Sequence, residues 1–276
     1  MLYGLFLVLL FAAPSQVSMA QDLNVGDSRV GYERKNFVTR SRRIDRLRAR
    51  PVDLHQLAAN PPLGLPPFPG EAPAPAVIDL GRTLFFDRRL SANGTLSCAM
   101  CHIPEQGFTQ NELATPAGFE GRMVRRNAPS LYNVAYRAQL FHDGRETALE
   151  EQIWFPLLAG NEMGNRSEQQ VISRIEAISA YEPLFRAAFG AAITRQTLGR
   201  ALASYQRALL SADSPFDRWF FGGEPDALGA DAIRGFEVFN SSGCNDCHLV
   251  QKDAALFSDG LYHDTGIAWR EASSST

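Results

Sequence analysis

The chain has 276 residues, enough for two modest domains with ordinary globular cores. Hydrophobic residues make up 45% and charged residues 21%, a balance that argues against both a disordered chain and a membrane-spanning one. A formal net charge of −3 offers no general attraction to nucleic acid, which is therefore not an expected partner.

Residues 1–20 read as a secretory signal peptide. Leu5 to Ala13 is an apolar run too short to span a bilayer, and Ser18-Met19-Ala20 supplies small residues at the cleavage positions. No Lys or Arg precedes the run, so an uncleaved anchor or a misassigned start is the alternative. Residues 21–75 read as an extension, first basic (Arg40, Arg42, Arg43, Arg46, Arg48, Arg50) and then proline-rich. The basic run is expected to be a solvated tail, with a docking surface as its alternative. Regular structure is expected to begin near Ala76.

From there the pattern is mainly α-helical. Gly81 to Phe86 reads as the end of a short helix, followed by a turn with Asn93-Gly94 and by Cys98-Ala99-Met100-Cys101-His102. Ser167 is a helix cap before Val171, Ile172, Ile175 and Ile178. Thr194 caps a second stripe of Leu198, Ala201, Leu202, Tyr205, Ala208 and Leu209. Asp213-Ser214-Pro215 marks a break between a first domain at 76–212 and a second at 213–276. Gly235 to Asn240 then echoes Gly81 to Phe86, and Cys244-Asn245-Asp246-Cys247-His248 follows.

All four cysteines lie in these two C-x-x-C-H motifs. Two disulfides or a structural zinc site would also use four cysteines, but neither explains a His directly after the second Cys both times. Two covalent c-type haems do: each Cys pair fixes a porphyrin edge, and His102 or His248 reaches the iron. Haem attachment of this kind takes place outside the bacterial cytoplasm, which agrees with a signal peptide and a periplasmic location.

In ordered motifs the chain resembles the bacterial di-haem cytochrome c peroxidase family, which includes the enzyme that matures the quinone cofactor of methylamine dehydrogenase. The likeness runs from about Val77 to Gly266. It rests on Leu84-Phe85-Phe86-Asp87, Gly107-Phe108-Thr109, Arg126-Asn127-Ala128-Pro129, Asp143-Gly144-Arg145, Glu162-Met163-Gly164 and His263-Asp264-Thr265-Gly266, besides the Cys motifs. The resemblance implies two class I cytochrome c-like domains. It makes His102 the proximal ligand of a peroxide-binding haem and His248 that of an electron-transfer haem. Glu162 would be the distal carboxylate that moves a proton between the peroxide oxygens, with Gln152 and Pro156 beside it. Asn127 and Thr265 would contribute to a calcium site, with the carbonyl of Ile267 as a third ligand. The implied partners are hydrogen peroxide, a small electron-donor cytochrome or copper protein, and a second copy of the chain in a homodimer.

Three departures bear on mechanism. No His occurs from Ile103 to Pro129, where many family peroxidases carry one that blocks the peroxide iron before reduction. His142 stands where a Trp commonly precedes Asp-Gly-Arg; it reads as a spacer, with proton carrier and haem ligand as alternatives. The family's Met or Tyr ligand to the second iron is not visible, so the second domain is expected to be incomplete at its C-terminus, with His263 a substitute ligand. The expected activity is peroxide reduction. The alternatives are oxidation of a side chain on a protein substrate, and an inactive haem-binding electron-transfer fragment.

Overall fold

The computed structural model describes residues 53–266. The expected signal peptide at 1–20, the arginine run at 40–50 and Ile267 lie outside the described residues. Among those described, the fold is helical, and extended pairing is limited to isolated bridges such as Ile103 with Thr109.

Among the described residues, regular structure starts at helix α1 (Leu54–Ala59), earlier than the expected start near Ala76. Asp53 caps it by accepting from the His55 and Gln56 N–H groups, and Ala58 is buried. The proline-rich stretch that follows is held by its own carbonyls: Leu63 accepts from Asp213 N–H and Gly64 from Ala255 N–H, each at 2.9 Å. Tyr136 donates its hydroxyl to Pro66 at 2.9 Å. Proline has no N–H to leave unsatisfied, and its free carbonyls make this segment a strap between distant parts of the chain.

Helix α2 (Pro75–Phe86) opens with a proline at a position where the missing N–H costs nothing. Its Leu80, Leu84 and Phe85 are buried, and Phe85 lies 5.1 Å from the Tyr205 ring. The partner is the long helix found at the Thr194 stripe. Helices α3 (Leu149–Gln152), α4 (Trp154–Leu158), α5 (Glu168–Glu176) and α6 (Tyr181–Phe189) precede it, and α7 (Arg195–Arg207) is that helix. Both expected caps are present. Ser167 accepts from Gln170 N–H, and Thr194 and Thr197 form a reciprocal box. Leu198, Ala201, Leu202, Tyr205, Ala208 and Leu209 are all buried, as the stripe predicts. Gly81 lets α2 and α7 touch, because a Cβ there would lie 1.9 Å from the Ala201 carbonyl oxygen.

At Asp213-Ser214-Pro215 a left-handed Asp213 is followed by a reciprocal Ser214–Asp217 cap on α8 (Pro215–Phe220). Helix α9 (Ala230–Ser241) buries none of its residues fully. Its Phe236 and Phe239 join Phe216 and Phe257 in an aromatic cluster with centroids 5.1–6.1 Å apart.

Candidate functional site: two cysteine turns, one with a cavity

Both C-x-x-C-H motifs fold alike. Cys98–Met100 and Cys244–Asp246 are single tight helical turns, and in each the motif's His N–H donates to the first Cys carbonyl, at 2.9 Å for His102 and 3.0 Å for His248. The imidazoles are oriented alike too. His102 Nδ1 lies 3.0 Å from the Phe108 carbonyl and 3.1 Å from that of Pro129; His248 Nδ1 lies 3.0 Å from the Phe257 carbonyl. A carbonyl only accepts, so Nδ1 carries the proton and Nε2 keeps the lone pair a metal needs. Phe108 and Phe257 are both left-handed, with φ of 57° and 51°. This costly conformation is what turns their carbonyls toward the rings.

The first motif opens on a cavity of about 550 Å3, whose walls include Cys98, Cys101 and His102 together with Gln152, Pro156 and Glu162. The fold thus gathers in one place the first set of residues singled out in the sequence, from segments up to 64 positions apart (162 − 98). Glu162 is half-buried and held by its backbone: the Phe119 N–H donates to its carbonyl, and its own N–H donates to Ala159. The left-handed Gly164 makes room for the Phe119 ring, which a Cβ would meet at 2.5 Å. Burial raises the Glu162 carboxyl above the usual range, against the pull of the Arg145 guanidinium. Burial also pushes the Cys98 thiol up to about 12 and Cys101 to about 11, with the nearby Glu162 charge adding to the latter. For His102 burial outweighs its two carbonyl hydrogen bonds and lowers the pKa, favouring neutral imidazole.

His142 lines the same cavity, but its Nε2 sits 3.0 Å from the Asn127 carbonyl oxygen. The Asn127 side chain donates to Gln110 O and accepts from Ala128 N–H, while Thr265 is exposed.

The second motif is more open. Cys244 is exposed, and the adjoining pocket, lined by Phe220, Phe236 and Leu249 among others, measures about 200 Å3. His263 Nε2 pairs with Asp259 at 2.6 Å, and ligand atoms of Cys247, Asp259 and His263 all lie within 4.8 Å of one another. Asp259 was not anticipated from the sequence; its only signal is the four-residue spacing to His263.

All four cysteines are free thiols, so the disulfide alternative does not hold. The two Cys pairs also do not gather into one metal-ligand group among the described residues, as a shared zinc site would require. A c-type haem fits the first site: two thiols and a correctly protonated imidazole sit on the wall of a cavity of suitable size. At the second site the Cys turn and imidazole fit equally, with less enclosure.

The family described as di-haem cytochrome c peroxidase matches residues 75–225. The chain belongs to this family. Methylamine utilization protein MauG of Methylorubrum extorquens is 41% identical over 205 residues, covering 73% of this chain and 56% of that protein. Cytochrome c peroxidase Ccp of Escherichia coli is 32% identical, covering 66% and 39% respectively. Among solved structures, the diheme peroxidase BthA from Burkholderia thailandensis superposes with a TM-score of 0.60 at 29% identity, over 68% of this chain and 53% of that one. The chain spans about half the length of the curated relatives it matches. The family's cofactors are two c-type haems.

Proposed function

We propose that the chain is a periplasmic di-haem peroxidase that reduces hydrogen peroxide to water with electrons from a small cytochrome or copper protein. Residues 76–212 would form the peroxide-binding haem domain and 213–276 the electron-transfer domain. The observation that carries this reading is Glu162: a half-buried carboxylate with a raised pKa, in the same cavity as the ligand-ready imidazole of His102.

Cys98, Cys101 and His102 would hold a haem, which would supply redox-active iron and electrons for cleavage of the O–O bond. Glu162 would take a proton from one peroxide oxygen and return it to the other, which would leave as water. A raised pKa suits both halves of that task, because the carboxylate must accept and then release within one turnover. Arg145, close enough to act on the Glu162 charge, keeps the carboxylate form accessible. Gln152 and Pro156 shape the cavity wall beside it. The His102–Phe108 hydrogen bond holds the imidazole in one tautomer. The test is stopped-flow mixing of the reduced holoprotein with peroxide: donor-dependent turnover supports the reading, and a rate no higher than that of free haem contradicts it.

A second reading, oxidation of a side chain on a partner protein, is favoured by the absence of any His from 103 to 129 and by the 41% identity to a methylamine utilization protein. It calls for a stoichiometric mass change on a partner after peroxide addition.

A further inference from the structure

The two Cys turns differ in what supports the carbonyl that holds the imidazole. At the first, Phe108 is braced by its own neighbours: its N–H donates to the Ile103 carbonyl at 2.9 Å, and the Ile103 N–H donates to Thr109 at 3.1 Å. His102 also has a second acceptor in the Pro129 carbonyl. At the second, His248 Nδ1 has one acceptor among the described residues, the Phe257 carbonyl. Phe257 is left-handed, with φ of 51°, a conformation that persists only where its surroundings enforce it.

Two contacts enforce it. The Phe257 ring packs 5.2 Å from that of Phe216 on α8 and 6.1 Å from that of Phe239 on α9. Two residues before Phe257, the Ala255 N–H donates to the Gly64 carbonyl at 2.9 Å, across 191 positions (255 − 64). Gly64 is buried and has φ of +94°, and a Cβ there would run into the buried carboxyl of Asp217. Glycine alone meets both conditions. The strap is fixed on either side of it, Leu63 by the Asp213 N–H and Pro66 by the Tyr136 hydroxyl, each at 2.9 Å.

We propose that Gly64 is a positioning residue for His248: through Ala255 it holds Phe257 left-handed, so that the Phe257 carbonyl accepts from His248 Nδ1. The inference rests on the di-haem reading above, in which His248 Nε2 would ligate the second iron. A carbonyl on Nδ1–H makes imidazole a more electron-rich ligand, which favours ferric iron and lowers the potential. The proline-rich strap thereby tunes the second site, whereas the first is braced locally.

The test is potentiometric titration of the holoprotein, with each haem followed at its own absorption band. Gly64→Ala is expected to raise the potential of the second haem and leave that of the first unchanged. Gly70→Ala is the control, since Gly70 lies in the same segment with φ of +78° but a Cβ there would meet nothing within 4 Å. It should shift neither potential. Tyr136→Phe, which frees the strap at Pro66 without touching Gly64, is expected to raise the second potential by less. An unchanged second potential in Gly64→Ala overturns the proposal, as does an equal shift of both haems or an equal shift in Gly70→Ala. If Gly64→Ala does not fold, Tyr136→Phe decides: a rise at the second haem alone supports the proposal, and no rise overturns it. A wild-type protein without haem at the second turn instead removes the di-haem reading. The ring-nitrogen NMR shifts of His248 then still decide the positioning: loss of the Nδ1–H tautomer in Gly64→Ala supports it, and retention overturns it.

Discussion

His102 Nδ1 and the carbonyl oxygen of Phe108 lie 3.0 Å apart, and Phe108 reaches this position in the left-handed region of backbone space. The second motif repeats the arrangement with His248 and Phe257. The repeated unit is therefore a Cys turn, its His, and a strained phenylalanine whose carbonyl fixes the imidazole.

His102→Gly is expected to leave the haem attached through Cys98 and Cys101 while removing the proximal ligand. The absorption spectrum of the first haem should change while that of the second does not. Added imidazole, free to occupy the vacated space, should restore much of the original spectrum.

Glu162→Gln keeps the shape of the side chain and removes its base. The reaction with peroxide is expected to slow by roughly 10²–10⁴-fold, the range for loss of a positioned acid–base group. In the wild type the rate should fall as pH drops through the Glu162 pKa, because protonation consumes the base. Burial raises that pKa, so the acid limb should lie above the ordinary carboxylate range, and Glu162→Gln should abolish it. The pH dependence of the single-turnover rate measures both.

Asp87 accepts the Tyr181 hydroxyl at 2.5 Å and is paired with Arg89. Burial alone would raise its pKa, but these hydrogen bonds hold it below the usual value. A depressed folded pKa contributes stability that is present above the unfolded pKa and lost as pH falls through the folded one. Asp87→Asn is expected to cost about 1–3 kcal/mol at neutral pH, and the difference from wild type should shrink under acid conditions. Denaturant unfolding at neutral and acid pH checks it.

The two glycines of the internal echo should respond oppositely to alanine. At Gly81 a Cβ would meet the Ala201 carbonyl oxygen at 1.9 Å, so Gly81→Ala should force α2 from α7 and cost about 1–3 kcal/mol or more. At Gly235 nothing lies within 4 Å, so Gly235→Ala should be neutral or stabilise α9 by up to about 1 kcal/mol. Thermal unfolding of the two variants separates them.

Periodicity and caps made much of the fold legible. The Thr194 and Ser167 helices and their buried stripes stand where local pattern puts them. Local chemistry also carried the two Cys turns, and motif likeness placed Glu162 on the wall of the same cavity as His102. What escaped depends on backbone direction and long-range packing. The sequence around Phe108 and Phe257 carries no sign that their carbonyls turn toward an imidazole. The prolines at 61–75 read as a loose extension because their tethers, Asp213, Ala255 and Tyr136, lie 70 or more residues away.

The central claim is that this chain carries two haems covalently, one at each Cys turn. Intact mass spectrometry of the denatured protein, produced in a host that attaches c-type haem in its periplasm, tests it most directly. The account predicts a mass above the polypeptide's by two haems, falling to one when Cys98 and Cys101, or Cys244 and Cys247, are replaced by Ala. A denatured chain with the mass of the bare polypeptide would contradict it.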